Sequence, residues 1–94
     1  IIFLKKISQL QNLQYIFIET RSDKDDLFGV GKKISKNEFI TDHYRRFINK
    51  KELVKKIKKN FRIIYCKETK GFSKFKNEDP CLIRIIAINK LIKI

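Results

Sequence analysis

The sequence predicts an α/β fold: three strands and two helices, with the C-terminal strand antiparallel at the centre of the sheet. Three observations lead there. A short aromatic and β-branched run, Tyr15-Ile16-Phe17-Ile18, reads as a strand. A capped amphipathic helix over Lys50–Lys59 leads into a second strand beginning at Phe61. The last apolar run, Leu82–Asn89, carries apolar residues on both faces, as a strand in the middle of a sheet does.

The elements follow in order. Phe3, Ile7 and Leu10 recur at i, i+4 and i+7, so Ile1–Leu13 is expected to be a helix, with Asn12 suited to its C-cap. Tyr15–Ile18 is expected to be a strand covered on both faces and ending near Thr20. No periodicity holds for long from Arg21 to Ile48, which reads as a long loop, functional or disordered, with a mobile turn at Gly29-Val30-Gly31. Its second half carries Phe39, Ile40, Tyr44, Phe47 and Ile48 and should pack back, with a short helical turn over Asp42–Phe47. Asn49 and Glu52 sit at capping-box spacing before Leu53, Val54 and Ile57, the buried stripe of the second helix. Lys55, Lys56, Lys58 and Lys59 fall on its open side. Phe61–Lys67 alternates as a strand, with Phe61, Ile63 and Tyr65 on one face and Ile64 and Cys66 on the other. A loop from Glu68 to Pro80 precedes the last strand. The strand–helix–strand unit predicts a right-handed crossover, and the final strand, joined without a helix, falls between the other two.

Composition narrows the function. The 94 residues suffice for one small domain. No apolar run is long enough to span a membrane, and the opening Ile1-Ile2-Phe3-Leu4 is too short for a signal peptide. The chain starts at Ile1 and contains no Met, which suggests a fragment, a single partial domain over residues 1–94. The net charge of +13 invites a nucleic-acid reading. Only five of the 23 basic residues are Arg, however, and the abundance of Lys, Ile and Asn together matches A/T-rich coding. No aromatic platform is interleaved with Arg on one strand face, so nucleic acid is the disfavoured partner. Cys66 and Cys81 form no CxxC and have no His pair beside them, which argues against zinc and for a reducing, cytoplasmic setting.

Local motifs carry a family resemblance. They are Phe17-Ile18-Glu19-Thr20-Arg21-Ser22 with Asp25-Asp26-Leu27-Phe28-Gly29, then Phe39-Ile40-Thr41-Asp42-His43-Tyr44-Arg45-Arg46-Phe47-Ile48, and last Lys70-Gly71-Phe72 with Glu78-Asp79-Pro80. The chain resembles the C-terminal part of class I S-adenosylmethionine-dependent methyltransferases of bacterial type, some associated with surface-glycan loci. The resemblance implies a partial Rossmann-like sheet and a transferase acting on a small-molecule or glycan acceptor. It also implies S-adenosylmethionine as the family's cofactor. The Gly-rich turn and acidic strand end that would hold the cofactor have no counterpart here, and Gly29-Val30-Gly31 does not join a strand to a helix. The chain alone is therefore expected neither to bind S-adenosylmethionine nor to methylate, and a complementing N-terminal polypeptide is an implied partner. The alternatives are a small basic nucleic-acid-binding module and a subunit that completes a split enzyme.

Ligands of open α/β sheets bind beyond the carboxyl ends of parallel strands, so the loops leaving Arg21 and Glu68 should meet at one acceptor edge. His43, the single histidine, is the candidate general base, against an exposed or packed loop histidine. Arg21, Tyr44, Arg45 and Arg46 are the candidate acceptor contacts. For Arg45 and Arg46 the competing role is an ion pair with Asp25, Asp26 or Asp42; for Tyr44 and Phe47 it is packing. Glu78 and Asp79 could orient a hydroxyl or simply shape a turn. Arg84, in mid-strand, needs Glu19 or Glu68 as partner or an uncovered face. Cys66 and Cys81 could approach each other across the antiparallel pair. No metal is expected.

Overall fold

A computed structural model describes residues 15–90, so the helix expected over Ile1–Leu13 lies outside the described residues. The described elements are β1 (Tyr15–Arg21), β2 (Lys32–Ser35), β3 (Glu38–Ile40), β4 (Tyr44–Arg46), α1 (Lys50–Ile57), β5 (Phe61–Thr69) and β6 (Leu82–Asn89). The strands form two three-stranded sheets, β1-β6-β5 and β2-β3-β4, and every pairing is antiparallel. This corrects the α/β, Rossmann-like expectation with two helices: the described chain is mostly β, with one short helix.

The difference comes chiefly from residues 21–48. The expected loop holds the whole second sheet. Its strands are three or four residues long, too short for alternation to show as a pattern. Lys36-Asn37 forms the two-residue turn between the paired Ser35 and Glu38. The helical turn expected over Asp42–Phe47 is instead strand β4, which pairs with β3 from Glu38↔Arg46 to Ile40↔Tyr44. Gly31 has φ of 93°, and a Cβ there would stand 2.4 Å from the Ile40 carbonyl oxygen, so this entry to β2 requires glycine. Phe28, Phe39 and Phe47 close one side of the small sheet edge-to-face, at centroid distances of 5.2, 5.5 and 6.0 Å. Such ring contacts add about 0.5–1.5 kcal/mol each beyond burial.

In the larger sheet β6 lies between β1 and β5, so these two run the same way without touching. Ile83, Ile85 and Ala87 on β6 are fully buried with Phe61 and Ile57, and Ile16, Ile18, Leu53, Val54 and Ile63 pack around them. Burial of each large apolar side chain contributes about 1.5–3 kcal/mol. Asn49 caps α1 by accepting the Glu52 amide at 3.1 Å, and its own amide donates to Asp23 at 3.0 Å. The Glu52 carboxylate stands 4.0 Å from Lys36.

Two strand expectations change. The pairing of β5 with β6 shifts between Ile63 and Tyr65. One extra residue flips the alternation, so Tyr65 lies opposite Ile86 rather than sharing the face of Phe61 and Ile63. On β1 only one face is covered: Tyr15 is 56% and Phe17 62% exposed, against the expectation of burial on both sides. Ile48 joins the two sheets by a parallel bridge to Ser22: its N–H donates to the Arg21 carbonyl and its carbonyl accepts from Asp23, both at 2.9 Å.

Candidate functional site

The end of β1, the end of β5 and the start of β6 meet at one edge of the larger sheet. Ser22, fully buried, donates its hydroxyl to Glu68 and accepts the Lys24 amide at 3.0 Å. Asp25 folds back as an Asx turn, accepting the Leu27 amide at 2.9 Å on one oxygen and the Cys81 amide at 2.8 Å on the other. The Asp25 and Glu68 side chains are only 3% and 6% exposed. Each has a cation beside it, Arg21 at 3.7 Å from Asp25 and Lys24 at 3.3 Å from Glu68. Among the described residues no buried side-chain nitrogen or oxygen lacks a partner. This cluster therefore fastens three strand ends together, and its carboxylates are already engaged.

Cys81 sits within the cluster. Burial pushes its thiol up, the Ser22 hydrogen bond opposes this, and the nearby carboxylates of Glu68 and Asp25 push it further. It is a protonated packing thiol rather than a nucleophile. Cys66 is exposed and lies opposite Ile85, so the two cysteines do not face each other; both are free.

Beside the cluster opens a cleft of about 150 Å³, with Arg21, Asp25 and Asp26 on one side and Glu78, Asp79 and Pro80 on the other. Lys70 reaches Asp26 at 2.6 Å, and this hydrogen bond raises the Lys70 pKa. Asp79 accepts the Gly71 amide at 2.6 Å, while Glu78 closes a tight turn with Phe75. Both acidic residues thus shape the β5–β6 loop.

The candidate contacts are not gathered at this cleft. Arg21 lines it, with its side chain 26% exposed and turned to Asp25. His43 lies on the β3–β4 turn, 73% exposed, 3.4 Å from the Asp42 carboxylate. The Thr41 hydroxyl, the Asp42 amide and His43 together hold the Asp42 carboxyl below the usual range. Tyr44 is exposed, not packed, and donates its hydroxyl to Glu38; that bond raises the tyrosine pKa. Arg45 donates to the Thr41 hydroxyl at 3.0 Å rather than pairing with an aspartate. Arg46 lines a second cavity. Phe47 is fully buried, as its packing reading requires. Arg84 pairs with Glu19 at 2.6 Å and lies 4.1 Å from the Phe72 ring centre.

That second cavity is a groove of about 730 Å³ between β1, α1 and the β2–β3 turn. Ile16, Ile18 and Leu53 form its apolar floor, with Arg46, Glu52 and Lys56 on its rim. Sequence reasoning named neither this groove nor Ser22 and Glu68 as partners. The Asx-turn spacing Asp25-x-Leu27 was the available signal for the cluster. The groove had none, because it forms between elements far apart in sequence.

No protein-family model matches the chain, and no curated protein matches its sequence. Among the described residues no helix is long and apolar enough to cross a membrane, and no three His, Cys, Asp or Glu side chains cluster to hold a metal.

Proposed function

We propose that the chain is the acceptor-side portion of an S-adenosylmethionine-dependent methyltransferase, inactive alone because these 94 residues lack the half that holds the cofactor. The observation that carries the reading is strand order. β1 and β5 point the same way on either side of antiparallel β6, and their loops meet at the Arg21–Asp79 cleft. This is the arrangement the family resemblance leads one to expect at the acceptor edge. The α/β class does not come with the proposal, which concerns that edge alone. Arg21 is the candidate positioned to meet an anionic or hydroxylated acceptor there. His43, Tyr44 and Arg45 line neither cavity, so a general base at His43 is not part of the reading. A reducing, cytoplasmic setting belongs to the proposal on the sequence pattern alone, Cys66 and Cys81 forming no CxxC.

The test has two arms. The coding DNA that precedes the Ile1 codon is read for a strand, a Gly-rich turn and a helix in the same or a shifted frame; finding them supports the reading. The purified chain is also titrated with labelled S-adenosylmethionine and, separately, with RNA at two salt concentrations. Saturable cofactor binding by the chain alone sinks the reading. Tight RNA binding that weakens steeply with salt replaces it with nucleic-acid recognition.

A further inference from the structure

The outer edge of β1 has a defined hydrogen-bonding pattern. Ser22 donates to the Cys81 carbonyl at 2.9 Å, continuing the register in which Arg21 faces Leu82. Even-numbered residues Ile16, Ile18 and Thr20 therefore exchange backbone bonds with β6. Odd-numbered residues point the other way: the Arg21 carbonyl and the Asp23 N–H both bond Ile48 on that outer side. Tyr15, Phe17 and Glu19 thus aim their N–H and C=O groups outward, and among the described residues no strand pairs with them. Open edges are ordinarily guarded by Lys, Pro or a bulge. The stretch Tyr15-Ile16-Phe17-Ile18-Glu19-Thr20 carries no Lys or Pro, its one charge, Glu19, is paired with Arg84 at 2.6 Å, and its register with β6 is unbroken.

From this edge we infer that the chain forms a two-fold dimer by antiparallel pairing of β1 with β1 of a second copy, centred on Phe17. A two-fold axis there makes Phe17 face its own counterpart and Tyr15 face Glu19 of the copy. All three residues have outward backbone groups, so each facing pair exchanges two N–H···O bonds. The side chains agree on both faces. Phe17, 62% exposed, meets Phe17 of the copy, and Tyr15, 56% exposed, lies diagonal to that same ring. On the opposite face Ile16 and Ile18 of the copy stand over the groove floored by Ile16, Ile18 and Leu53. Each chain's net charge of +13 opposes the approach, so salt strengthens this contact by screening. Nucleic-acid binding has the opposite salt dependence. The inference does not rest on the methyltransferase reading.

Sedimentation velocity on the full chain tests it, across protein concentration and at two salt concentrations. A dimer fraction that rises with both is expected, and Phe17→Lys should return the chain to monomer at every concentration. Phe75→Lys, at a 67% exposed loop position, should leave the dimer unchanged. Geometry is tested by air oxidation in a Cys66→Ser background. Phe17→Cys should cross-link, because facing Cα atoms about 5.5 Å apart lie within disulfide reach. Tyr15→Cys should not, since its counterpart lies about 14 Å away along the strand. Four outcomes overturn the proposal: a monomer at all concentrations, open-ended association, a dimer indifferent to Phe17→Lys, or equal cross-linking at both positions. A monomer that instead pairs this edge with a different polypeptide overturns it as well.

Discussion

Six of the eight residues of β6 are buried, whereas all four residues of β2 are exposed. The two sheets have the same number of strands and are held by different means. The β1-β6-β5 sheet rests on a continuous apolar layer under α1, drawn from Ile57, Phe61, Ile83, Ile85 and Ala87. The β2-β3-β4 sheet rests on three phenylalanines from separate segments and on the one-residue bridge at Ile48. Local stability follows the density of buried apolar contact. The larger sheet should therefore set the global stability, and the smaller should open first without unfolding the rest.

The sharpest way to break this contrast is to damage each sheet separately. Phe61→Ala removes a fully buried ring from the larger sheet. It should cost about 3–5 kcal/mol and unfold both sheets together, seen as one urea transition moved to much lower denaturant. Gly31→Ala should cost about 1–3 kcal/mol, because the added Cβ meets the Ile40 carbonyl and φ is positive. Its effect should stay local. Hydrogen exchange should accelerate at β3 and β4 amides while β6 amides keep their protection. Equal acceleration in β6 would mean the two sheets are one cooperative unit, and the contrast would fail.

The same contrast explains what the sequence disclosed. Leu82–Asn89 was legible because a buried central strand needs an unbroken apolar run, and its bounds match the sequence reading. The Asn49 cap was legible because capping is decided within four residues. The small sheet was not, since Lys32–Ser35 and Tyr44–Arg46 carry charges and too few residues for a period. The bulge near Ile64 was hidden for another reason: register is settled by the partner strand, here Ile86 and Ala87, more than twenty residues away. The site divided likewise. Arg21 could be placed at the sheet edge from its strand, but Glu68 reaches Ser22 only through the tertiary fold.

The gentlest probe of the comparison is pH, read through the exposed Glu38–Tyr44 pair of the small sheet. Hydrogen bonds from Ser35 and then Tyr44 hold the Glu38 carboxyl below its ordinary value near 4.5. A carboxylate depressed by folding lends stability that is complete above the unfolded value and is lost as pH falls through the folded one. Tyr44 supplies the opposite limit: the bond to Glu38 raises it above its ordinary 10.0, so that contribution disappears as pH rises past this value. Protection of β2–β4 amides, corrected for intrinsic exchange, should therefore be flat near neutrality and decline on both sides. Tyr44→Phe should remove the alkaline decline and shrink the acid one, since the Ser35 bond at 2.6 Å remains. The effect is small, because Glu38 and Tyr44 share their bond in solvent, where water competes for every partner. An acid decline in β6 amides of the same size, and equally shrunk by Tyr44→Phe, would show that the hairpin's charges are read by the larger sheet through Ile48.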